Sequence, residues 1–231
     1  SEAKGRKNMP AHQIVKSQKT LPQLERHREE LLRNDIEIVW KKVKLAEGVV
    51  LEISEVVRAK EFYLPVRATE VWQIARSTGA FPLTSAVADQ LMNRAAFLAY
   101  RWQPEIKDFE QSSIFYRNNS YDGITKFGAH KLWVLSKLRG VDDTKSVNYG
   151  FYELSKGQSK DVKYRGGDKL DRKYNPKQGL GGRHDTNWWD YSQLLQLMRS
   201  FEPITIDGER LSLGMALNAG KSIVSDEGAY S

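Results

Sequence analysis

The sequence predicts an α+β protein: a mixed or antiparallel sheet with helices packed on it, plus one long basic loop. Two observations carry this. Apolar residues recur with the period of a strand in some stretches and of a helix in others. The elements come in blocks (hairpin, helices, strands, helix, strand), which is the α+β pattern. A chain of 231 residues is long enough to bury a real core.

Residues 1–20 are polar and basic, with Gly5, Pro10 and no periodicity. They read as a flexible arm ahead of a single domain spanning 21–231. Leu21 to Arg33 predicts a short helix, with Pro22 in its first turn and Leu24, Leu31 and Leu32 on one side. From Ile36 the period becomes two. Ile36, Ile38 and Trp40, then Val49, Leu51 and Ile53, flank Ala46-Glu47-Gly48 and predict a hairpin, joined by a third strand through Val56, Val57 and Tyr63.

Thr69 to Ser77 predicts a helix that Gly79 stops. Thr84 or Ser85 caps the next helix, expected to run to Arg101 with Val87, Leu91, Ala95 and Leu98 inward. Residues 106–127 give no clear period. Phe127 to Leu135 and Val147 to Leu154 predict strands, with Gly140 to Lys145 as the loop between them. Residues 155–183 are rich in Gly, Lys and Asp without a core pattern. So long a loop is uncommon in a compact domain unless it is functional or disordered, and its part 156–183 reads as a lid. Near the end, Ile204 to Ile206 predicts a strand turned by Asp207-Gly208, and Leu211 to Ala219 a short helix.

Composition narrows the function. Hydrophobic residues make up 40% and charged residues 28%, and no apolar run approaches a membrane span. There is no cysteine, so no disulfide, thiolate nucleophile or Cys-ligated metal is available. Nothing at the start resembles a signal peptide, although a processed chain would have lost one. A secreted or cell-envelope setting is favoured, and a cytoplasmic one stays open. The net charge is +7 and is unevenly placed. Lys4, Arg6, Lys7, Lys16 and Lys19 face only Glu2 in the arm. Nine Lys and Arg face three Asp in 156–183. The remainder is net acidic, which disfavours sequence-specific reading of nucleic acid but leaves room for charge contacts with an anionic polymer.

The stretch Gly181 to Met198 (GGRHDTNWWDYSQLLQLM) gathers the chemistry. Leu194, Leu195, Leu197 and Met198 read as the buried side of a helix that Asp190 or Ser192 would cap. The polar cluster would then sit at a helix N-terminus, where spare N–H donors suit an anion or oxyanion. His184 is the candidate general base, Asp190 or Asp185 its orienting acid, and Ser192 a candidate nucleophile, although it lacks a Gly-x-Ser-x-Gly elbow. His130, His184 and Asp190 could hold a divalent metal such as zinc, since two histidines and an acid form a catalytic zinc arrangement. Trp188, Trp189 and Tyr191, helped by Tyr149 and Tyr152, could form a sugar-stacking platform. Adjacent residues rarely face the same way, so one Trp of the pair is also a candidate for the core.

These residues carry a resemblance. Phe81-Pro82-Leu83-Thr84, Gly128-Ala129-His130-Lys131, Tyr149-Gly150-Phe151-Tyr152, His184 with Asp190-Tyr191-Ser192-Gln193, and Ser225-Asp226-Glu227-Gly228 follow one another in order. The chain resembles a family of uncharacterised bacterial proteins with Gly-His-Lys, Tyr-Gly-Trp-His and His…Asp-Tyr-Ser-His-Gly motifs. The resemblance covers roughly residues 50 to 230. It departs at Tyr152 and Gln193, where the family pattern has histidine. It implies where a site lies and no secure activity.

The expected function is a hydrolase or an enzyme-like domain acting on a glycan or other cell-envelope polymer. Its site would gather His130, Lys131, Tyr152, Arg183, His184, Asp190 and Ser192, with Lys131 and Arg183 holding carboxylate or phosphate groups. The alternative is a non-enzymatic assembly component, of a virion or a secretion machine, whose basic segments order against partners. Nonspecific nucleic-acid binding through those segments ranks third. The oligomeric state is left open.

Overall fold

The computed structural model describes residues 21–60, 62–94, 96–97, 126–127, 131–136, 145–149, 152–154, 174–176, 181–187, 189 and 193–230. The chain is α+β. In order, the elements are α1 (Leu21–Asn34), β1 (Ile36–Glu37), β2 (Trp40–Ala46), β3 (Val49–Ser54), β4 (Arg58–Ala59) and β5 (Phe62–Tyr63). There follow α2 (Ala68–Ser77), β6 (Phe81–Pro82), α3 (Ser85–Arg94), β7 (Ala96–Phe97), β8 (Lys126–Phe127), β9 (Lys131–Trp133), β10 (Lys145–Tyr149) and β11 (Tyr152–Leu154). The rest are β12 (Tyr174–Pro176), β13 (Gly181–Asp185), β14 (Gln193–Leu194), β15 (Leu197–Arg199), β16 (Ile204–Ile206), β17 (Glu209–Leu211) and α4 (Leu213–Asn218).

Two four-stranded sheets dominate, ordered β2-β3-β15-β6 and β13-β10-β9-β14. Their pairings are antiparallel except β14 with β9. Strand alternation divides the buried side chains between two cores. The first collects Leu45, Val49, Leu51, Ile53, Leu132, Tyr149, Leu194 and Met198 under α3 and α4, which add Val87, Leu91, Leu213 and Leu217. The second collects Trp133, Leu195 and Leu197 with Val57, Leu64 and Val66, under α1 (Leu31) and α2 (Val71, Ile74, Ala75).

The local signals explain most boundaries. The backbone N–H of Arg67 donates to Glu70 Oε2 at 2.7 Å as α2 begins, and Gly79, at φ +62°, follows its end. Thr84 Oγ1 accepts from the Val87 N–H at 3.2 Å and caps α3. Gly48 closes the β2–β3 hairpin at φ +72°, where a Cβ would lie 2.9 Å from Thr205. The Thr205 N–H donates to the Gly48 carbonyl at 2.8 Å, so the hairpin end carries β16. The Ser225–Gly228 tail is a tie. Ser85 Oγ donates to Asp226 at 2.6 Å and Ser136 Oγ to Glu227 at 2.5 Å, joining the start of α3 to the segment after β9.

Several expectations are corrected. Leu194 to Met198 is not helical: it forms β14 and β15. Every residue from 193 to 198 is buried, because successive side chains enter opposite cores. A strand buried on both faces loses the polar alternation that distinguishes it from a helix. The third strand beside the hairpin is β15, whereas β4 and β5 join β1 in a separate sheet. α3 ends at Arg94, short of Arg101. Leu211 belongs to β17, paired with Ile204, and α4 starts at Leu213 behind a Ser212 cap. Within the expected 155–183 loop, Tyr174–Pro176 pairs with β11 and Gly181 begins β13. The arm 1–20 and most of the lid lie outside the described residues.

One buried ionic cluster fastens α1 to the second core. Arg28 is fully buried and grips Glu70 with two bonds, at 2.7 and 2.8 Å. It also donates to Glu25 at 3.1 Å and to the Pro65 carbonyl at 3.3 Å, and lies 5.1 Å from the Trp189 ring centroid. Removing one partner of a buried ion pair strands the other charge. We predict that Arg28→Leu lowers unfolding free energy by about 3–5 kcal/mol in urea titrations. A loss within the range of an exposed salt bridge would contradict this account of α1 docking.

Candidate functional site

The candidate site is one face of the sheet β13-β10-β9-β14. On β9, Leu132 points into the first core, so Lys131 and Trp133 share the other face. Asn148 pairs with Trp133, and Gln193 with Lys131. Directly paired residues lie on the same face, so Lys131, Trp133, Asn148 and Gln193 form one patch. On β13, His184 pairs with Ser146 in register. The register shifts between Ser146 and Asn148, opposite the stretch from Gly181 to His184.

This polar patch is buried. Lys131 is 3% exposed, and Asn148 and Gln193 are both 0% exposed. Both amide atoms of Asn148 and both of Gln193 have no hydrogen-bond partner among the described residues. Leaving a buried polar atom unmatched costs about 1–3 kcal/mol. Trp133 bounds the patch and is fixed there, its Nε1–H donating to the Val66 carbonyl at 2.7 Å. The Val66 N–H in turn donates to the Gln193 backbone carbonyl at 3.0 Å, so the approach to α2 is tied to β14. Two carboxamides supply donors and acceptors together, and an ammonium adds a cation. Such a set matches a ligand that itself carries both C=O and N–H groups.

The structure puts Lys131 on this face; Arg183 and His184 lie on β13, at the far edge of the same sheet. It places Tyr152 elsewhere, on β11 opposite Pro176. Tyr149 is 1% exposed, points into the first core and donates its hydroxyl to Asp89 at 2.7 Å. Trp189 is buried too, and its Nε1–H donates to Glu25. Neither ring offers a face to a sugar, so the platform expected from them is corrected: both are core residues with a polar tip satisfied. His130, Trp188, Asp190 and Ser192 lie outside the described residues. The helix N-terminus expected to hold the cluster is absent, because β14 stands in its place. Among the described residues, no three His, Cys, Asp or Glu side chains gather as a metal site. No described helix is long and apolar enough to cross a membrane.

Sequence reasoning missed Asn148 as a site residue. The available signal was a polar side chain between Val147 and Tyr149 in an apolar strand. Gln193 stood out only as a departure from the resembled pattern. Comparison with family models, curated proteins and solved structures finds no match.

The ionic cluster beside the second core has its own pH signature. Burial pushes the Glu25 carboxyl up, but the Arg28 charge, the Trp189 N–H and Arg67 outweigh it and hold it below the ordinary value. A carboxylate depressed on folding stabilises above its unfolded pKa, and that contribution fades as pH falls through the folded value. We predict that the melting temperature drops as pH is lowered from about 4.3, the ordinary glutamate value, and that Glu25→Gln flattens this part of the profile. Parallel profiles for the two proteins would contradict the assignment.

Proposed function

We propose that the chain is a hydrolase acting on an amide-bearing cell-envelope polymer, with an N-acylated glycan such as peptidoglycan as substrate. The observation that carries this reading is the pair of buried carboxamides, Asn148 and Gln193, without a hydrogen-bond partner among the described residues, on the sheet that also holds Lys131 and His184. An N-acyl group presents one acceptor and one donor, which Asn148 and Gln193 can match together. Lys131 supplies positive charge for the oxyanion that forms when water adds to the carbonyl carbon. His184 takes the proton from that water and returns it to the departing amine. Glycosidic cleavage is served less well, since it calls for two carboxylates and the described residues of this face carry none.

A divalent metal such as zinc, held by His184 with His130 and Asp190, belongs to the same proposal, and so does Ser192 as an alternative nucleophile. The resemblance supports the location, because four residues of its segments, Lys131, Tyr149, His184 and Gln193, lie on strands of this sheet. One observation favours the second reading, a non-enzymatic assembly component: Tyr152 and Gln193 stand where the resembled pattern has histidine.

The test uses labelled peptidoglycan sacculi and N-acetylated oligosaccharides with the full chain. His184→Ala should keep the fold and lower turnover about 10²–10⁴-fold, the usual worth of a general base. Asn148→Leu and Gln193→Leu should lose turnover while holding or raising stability, by about 1–3 kcal/mol, because each removes an unmatched polar group. Wild-type protein without turnover, or with turnover indifferent to His184→Ala, would favour the assembly reading.

A further inference from the structure

The short run from Val66 to Thr69, which leads into α2, bonds to both outer strands of the sheet β13-β10-β9-β14. At one edge the Val66 N–H donates to the Gln193 carbonyl on β14 at 3.0 Å. At the other edge the turn after β13 is held twice. The Thr69 N–H donates to the Thr186 carbonyl at 3.3 Å, and the Arg67 Nε–H donates to the Asn187 carbonyl at 3.0 Å. Thr69 sits in the first turn of α2, where the helix has no carbonyl of its own to offer that N–H. The turn is also braced from within, because the Asn187 N–H donates to Asp185 Oδ1 at 2.8 Å. β13 and β14 stand at opposite edges of the sheet, so they do not pair with each other.

Arg67 is the one member of this run that acts through its side chain. Its guanidinium is anchored on the helices: Nη1 donates to Glu70 at 3.3 Å and lies 3.7 Å from Glu29, and Nη2 donates to Glu25. Glu25 in turn accepts from the Trp189 Nε1–H. A guanidinium fixes five donors in one plane, so it can grip carboxylates on one side while Nε–H reaches a carbonyl on the other. An ammonium, with a single nitrogen, cannot span both. We propose that Arg67 is a positioning residue for the carboxamide site. By tying Asn187 to α1 and α2, it sets the end of β13, which carries His184, relative to Gln193 on β14. Its effect on turnover rests on the hydrolase reading, whereas its effect on geometry rests on the bonds alone.

The experiment compares Arg67→Lys with Leu31→Val in the full chain. Arg67→Lys keeps the charge that faces Glu25 and Glu70 but gives up the fork that reaches Asn187. It should lower kcat on N-acetylated oligosaccharides about ten- to hundred-fold, the cost of a small misplacement, with KM little changed. It should also displace the side-chain amide signals of Gln193 in nitrogen-15 NMR spectra. Leu31→Val loosens the same core without touching Arg67, so it should lower the urea midpoint and leave kcat and those signals as in wild type. Wild-type kcat and wild-type amide signals in Arg67→Lys would overturn the proposal. An equal fall of kcat in Leu31→Val would overturn it too, since turnover would then follow stability alone. If the wild type turns over none of these substrates, the hydrolase reading fails separately and the Gln193 signals decide. Displaced in Arg67→Lys, they support the positioning role; unmoved, they overturn it.

Discussion

Burial on both faces of residues 193–198 is the constraint on which the rest depends. This short run supplies a strand to each four-stranded sheet, through β14 and β15. It also supplies side chains to both cores: Leu194 and Met198 to one, Leu195 and Leu197 to the other. The Val57 N–H donates to the Leu195 carbonyl at 2.9 Å, and Ser54 Oγ accepts from the Leu197 N–H at 2.8 Å. A slip of one residue would exchange the two cores' side chains and turn Gln193 into the wrong one. Register and site are therefore fixed by the same packing.

The two cores place different demands on what covers them. The first is closed by apolar faces of α3 and α4 and by the Ser225–Gly228 tail. The second is closed in part by charge, with Arg28 beneath Trp189 and between Glu25 and Glu70. Buried ion pairs contribute little net stability compared with apolar packing, but they penalise misplacement heavily. That cluster fixes α1, α2 and residue 189 against one another. The carboxamide patch lies on this second-core side of its sheet, bounded by Trp133. Among the described residues, polar atoms are thus unmatched beside a region whose geometry is held by directional bonds.

Much of the fold was legible because its signals were local. Leu31, the Glu47-Gly48 turn, Gly79 and Thr84 each announce a face, a turn, a stop or a cap through neighbours in sequence. The α+β class followed from those blocks. Leu194 to Met198 was not legible, since alternation between two apolar environments looks like no alternation at all. Tyr149 was misread, and Trp189 left open between platform and core, for a related reason: an aromatic with a polar tip looks the same in sequence whether that tip meets a ligand or, as here, Asp89 and Glu25. Lys131 and His184 were singled out by motif, yet what unites them is strand pairing across more than fifty residues of chain. Asn148 carries no motif at all, and only the register with Trp133 gives it meaning.

The most direct test of the central claim is a nitrogen-15 NMR titration that follows the side-chain amides of Asn148 and Gln193. N-acetylated glycan fragments should shift both pairs of N–H signals in a saturable way, and the same fragments stripped of their acetyl groups should not. If the two amides stay unmoved while the fragment binds elsewhere, or no fragment binds, the patch is not a substrate site and the hydrolase account fails.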